Sequence, residues 1–115
     1  MPNDIANTTI TFDSNITKVS WIGWGMSGQV QGTTYETTTS GEEIFWNYYG
    51  YGEDTVPFTV TLSEGYVLDT ITVLNNSSQA MTISNKTDSG FETPIAFDNF
   101  PKTITLTSKL EGGVL

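Results

Sequence analysis

Apolar and polar residues alternate with a period of two over much of this chain. In residues 55–62, Val56, Phe58, Val60 and Leu62 fall on one side, and Thr55, Pro57, Thr59 and Thr61 on the other. That spacing predicts a strand with one face on a core, and threonine suits the outward face of a pleated sheet. Pro57 has no amide hydrogen, so this strand is expected at a sheet edge or to begin beyond the proline. Ile71 and Val73 share a face within residues 66–74, while Ile104 and Leu106 lie opposite Thr103, Thr105 and Thr107 within 102–108. Further strands are predicted at 8–12, 16–22, 29–35, 43–49 and 80–84, with a weaker one at 93–97. Polar and glycine turns separate them, among them 63–65 and 75–79. No segment keeps apolar residues at i, i+3, i+4 and i+7, so no helix is predicted. The pattern points to an all-β chain: a single sandwich of immunoglobulin-like or jelly-roll type with about eight short strands. It is read as one domain over 1–115, with residues 1–7 a flexible arm.

Two stretches share a rhythm. Thr11-Phe12 leads through a polar turn to Ile16, Val19, Trp21 and Ile22. Thr61-Leu62 leads through Ser63-Glu64-Gly65 to Leu68, Ile71, Val73 and Leu74, with two more residues in the turn. Any two β-hairpins have this rhythm, and coincidence is the favoured reading over duplication. The stretch from Thr61 to Val73, TLSEGYVLDTITV, resembles the hairpin of small β-rich repeats in bacterial surface proteins and phage virion proteins. The resemblance implies a β-hairpin in an extracellular-type or virion-type module, and it carries no catalytic residue.

The aromatic residues concentrate between Trp21 and Tyr51. Within 43–49, Ile44, Trp46 and Tyr48 are expected on one face and Phe45 and Tyr49 on the other. Bulky residues on both faces call for cover on both, either inside the monomer or from a partner. Tyr and Trp bury large areas with few rotors to freeze, which suits interface anchors. Trp24, Phe45, Trp46, Tyr48, Tyr49 and Tyr51 are therefore the candidate interface or ligand-binding residues. A large aromatic core is the competing reading. Stacking of the Tyr48, Tyr49 and Tyr51 loop on a sugar ring is a third.

Composition then removes most chemistry. The 115 residues hold no His, Cys or Arg, and about one in six is Thr. There is no imidazole base, thiol nucleophile, disulfide or guanidinium clamp. Gly23-Trp24-Gly25-Met26-Ser27-Gly28 fits the dinucleotide pattern, but no helical period follows to receive a pyrophosphate. A glycine-rich connection or bulge is expected there. Glu42 with Glu43, or Glu53 with Asp54, would have to act as paired carboxylates, yet neighbours on a strand point to opposite faces. Asp13, Asn15, Asp88 and Asp98 follow no calcium-loop pattern. Sequons at Asn7, Asn15, Asn75, Asn76 and Asn85 are read as chance in so Thr-rich a chain.

The net charge of -9, with four lysines, argues against nucleic-acid binding and suits an acidic soluble surface. No apolar run approaches a membrane span, and the N-terminus has no signal-peptide pattern. The expectation is a non-enzyme without cofactor or metal, made in a host cytoplasm and placed in a virion. Its expected partners are other virion proteins, its own copies or a host-surface glycan, with no membrane insertion. A secreted carbohydrate-binding or adhesion domain, and an acidic phage inhibitor mimicking nucleic acid, are the alternatives.

Overall fold

The computed structural model describes residues 4–24, 31–48, 54–95 and 101–111. They form nine strands: β1 (Asp4–Phe12), β2 (Ile16–Trp24), β3 (Gln31–Thr37), β4 (Glu42–Tyr48), β5 (Asp54–Leu62), β6 (Tyr66–Asn75), β7 (Ser84–Thr87), β8 (Gly90–Ile95) and β9 (Pro101–Leu110). No helix occurs among the described residues. The strands make two sheets packed face to face, β4-β1-β9-β6 and β3-β2-β5-β8-β7. Among the described residues one pair, Trp24 opposite Asn47, joins β2 to β4 and links the two sheets. The ladders are antiparallel except that β1 and β9 run parallel, from Thr9 opposite Thr103 to Phe12 opposite Leu106.

The alternation read from the sequence is the alternation of burial. Val56, Phe58 and Val60 of β5 are buried, and so are Ile104 and Leu106 of β9. From the first sheet Ile10, Phe12, Leu68 and Val73, with Ile104 and Leu106, share one core with the β5 residues. Across the inner face of the second sheet, residues in direct register stack their rings. Tyr35, Trp21, Phe58 and Phe91 form one row over β3, β2, β5 and β8, with centroids 6.0, 5.4 and 4.9 Å apart. Such pairs add about 0.5–1.5 kcal/mol each beyond the area they bury.

The two similar stretches share more than rhythm. Both turns hold three residues, so the two extra residues expected in the second turn, Tyr66 and Val67, are instead the start of β6. Inward residues then fall at spacings of three and two: Ile16, Val19 and Trp21 in β2, and Leu68, Ile71 and Val73 in β6. Strict alternation would turn the first of each set outward. A register shift between Ile16 and Lys18, and another between Leu68 and Ile71, add one residue and keep the apolar side inward. The strands on either side of each turn are not paired with each other, however. β1 and β6 lie in one sheet, β2 and β5 in the other, so each turn is an arch between sheets. This corrects the hairpin expected at residues 61–73. The two arches touch, the Ser63 amide donating to the Asn15 carbonyl at 2.9 Å.

Other expectations change as well. Nine strands replace about eight. β1 begins at Asp4, which pairs with Tyr48, so residues 4–7 are sheet rather than flexible arm. Pro57 is inside a strand with neighbours on both sides. Its missing donor is tolerated because β2 is registered only as far as Trp21 opposite Phe58, leaving β8 as the sole registered neighbour at Pro57. The strand expected at 80–84 is a single bridge, Ala80 to Leu74, with the Met81 amide donating to the Val73 carbonyl at 2.9 Å. The regular strand β7 starts only at Ser84. The weak strand at 93–97 is β8, shifted towards the N-terminus, with 96–97 outside the described residues.

Candidate functional site

Register fixes which strand ends meet. Asp4 lies opposite Tyr48, Trp24 opposite Gln31 and Asn47, and Asp54 opposite Ile95. One end of the sandwich therefore gathers the start of β1, the close of β2, the start of β3, the close of β4, the start of β5 and the close of β8. The arches at 13–15 and 63–65 lie at the other end.

Four of the six candidate aromatics are placed by this backbone. Trp24 sits opposite Asn47, whose chain neighbours are Trp46 and Tyr48. Trp46 is opposite Ala6, and Phe45, one pair further in, is opposite Asn7. The backbone of Trp24 thus lies beside that of residues 46–48, although more than twenty residues separate the two segments in the chain. Tyr49 and Tyr51 lie outside the described residues. The division of this strand into two aromatic faces also falls outside the described side chains. Trp21 and Tyr35, part of the same concentration of aromatics, belong to the buried row. Gly23 and Trp24 flank a register shift whose extra residue, Gly32, is on β3, and the rest of the glycine-rich run, 25–28, lies outside the described residues.

The acidic candidates diverge. On β4 the Glu42 carboxylate accepts from the Thr37 hydroxyl, whereas Glu43 faces Lys102 at 3.8 Å. As adjacent strand residues they serve different sides and do not converge on one bond. Lys18 pairs with Glu36 at 3.7 Å and Lys109 with Asp69 at 3.8 Å, while the Lys86 ammonium donates to the Leu68 carbonyl at 3.2 Å. These exposed ion pairs contribute little, about 0–1 kcal/mol each. They do distribute the four lysines singly over the surface. Ile22 is the large apolar side chain left open among the described residues, 46% exposed on the outer side of β2.

Asp13 is a clasp. In the first arch its carboxylate accepts from the Asn15 amide at 3.0 Å. It also accepts from the Ser108 amide at 2.7 Å and the Ser108 hydroxyl at 2.8 Å. Burial pushes its pKa up, but the Ser108 amide and hydroxyl and the backbone donors of the arch outweigh this and hold it below the usual carboxylate range. The contact ties the arch to β9, 95 residues along the chain. No local pattern announces such a pairing, so sequence reading offered Asp13 only as a dispersed calcium candidate. The row of stacked rings was equally hidden, since its members come from four strands.

Among the described residues no pocket opens, and no group of three or more Asp or Glu is placed to hold a metal ion. No helix is long and apolar enough to cross a membrane. The described backbone sets the aromatic close of β4 beside the close of β2 at one end of the sandwich. No protein-family model, curated protein or solved structure matches the chain.

Proposed function

We propose that the chain is a non-enzymatic structural or attachment module of a virus particle, a capsid-decoration, tail or fibre component of a bacteriophage acting through protein–protein contacts. One observation carries the reading: the register, with Trp24 opposite Asn47, lays the close of β2 beside the aromatic close of β4 at one end of the sandwich. Tyr and Trp dominate binding energy where they anchor an interface. A composition without His, Cys or Arg supports the same reading.

The test mixes the purified chain with candidate particles and measures co-sedimentation. Trp46→Ala and Tyr48→Ala should weaken binding about tenfold or more, as hot-spot residues do, with little change in melting temperature. Glu64→Gln, in the arch at the far end, should leave binding intact. If the two aromatic variants instead unfold the protein, those side chains are core and the contact end is misplaced. Binding to a glycan or a nuclease, with none to particles, would replace the proposal by an adhesion domain or an acidic inhibitor.

A further inference from the structure

We draw no further inference here: the strongest candidate, the rank of threonines Thr9, Thr11, Thr72, Thr103 and Thr105 in register on β1, β9 and β6 of the four-stranded sheet, is a stripe of small polar residues, and nothing in the structure shows what covers it.

Discussion

Asp13 and Thr93 stand at opposite ends of polar satisfaction. The carboxylate of Asp13 is held by the Ser108 amide and hydroxyl and the Asn15 amide, which favour its charged form and depress its pKa in the folded state. A depressed folded pKa means that the clasp stabilises at pH values above the unfolded carboxylate range. That contribution fades as pH falls through the folded value. Asp13→Asn should therefore cost about 1.5–3 kcal/mol at neutral pH, the scale of hydrogen bonds to a charged group. Urea unfolding at neutral pH and again in strong acid should show the gap between wild type and variant closing in acid. A gap that stays constant would mean that shape, not charge, holds the arch. Thr93 is fully buried on β8, and its hydroxyl has no partner among the described residues. Its cost is that of a desolvated, unpaired polar group. Thr93→Val should stabilise by about 1–2 kcal/mol, read as a higher denaturation midpoint at unchanged slope. Neither role was legible beforehand. Thr93 was read only as the first residue of a weak strand, and Asp13 as a dispersed calcium candidate.

At the scale of the element, alternation carried most of the information. Val56, Phe58, Val60, Ile104 and Leu106 were readable as core because each strand obeys period two. The arches were not readable as arches. A short polar turn between two strands looks the same whether the strands pair or part to different sheets, and the choice rests on partners far along the chain. The step of three from Ile16 to Val19, and from Leu68 to Ile71, was the visible sign of the bulges. Gly65 closes its arch at φ +87°, a region where a Cβ is strained, although open space surrounds the position. Gly65→Ala should thus cost about 1 kcal/mol through backbone strain alone. Phe58 lies within the ring row, stacked on both Trp21 and Phe91. Phe58→Ala should cost about 3–5 kcal/mol, the range for a buried ring left as a cavity. Thermal and chemical denaturation of the two variants separates the effects. A loss under about 1 kcal/mol at Phe58 would show that the row collapses around the gap or was never tight.

For the whole molecule, sandwich architecture was legible but strand order was not. Period two says which face is inward and nothing about which strand lies alongside. Here the decisive neighbours are the first and last strands. β9 lies between β1 and β6, with Thr9 opposite Thr103 on one side and Thr105 opposite Thr72 on the other. Without β9 the four-stranded sheet divides, β6 loses its ladder and Asp13 loses Ser108. The ends of the chain must therefore meet before that sheet exists, and closing so long a loop precedes the contacts that reward it. A chain truncated after Phe100 should fail to fold cooperatively, even though most of the core residues remain. Circular dichroism on heating should show a gradual change in place of a sharp transition. Supplying residues 101–115 as a separate peptide should restore the transition, with a midpoint that rises with peptide concentration as linkage requires. Sharp unfolding of the truncated chain alone would show that the β3-β2-β5-β8-β7 sheet and its aromatic row suffice for a fold, and that β9 only completes it.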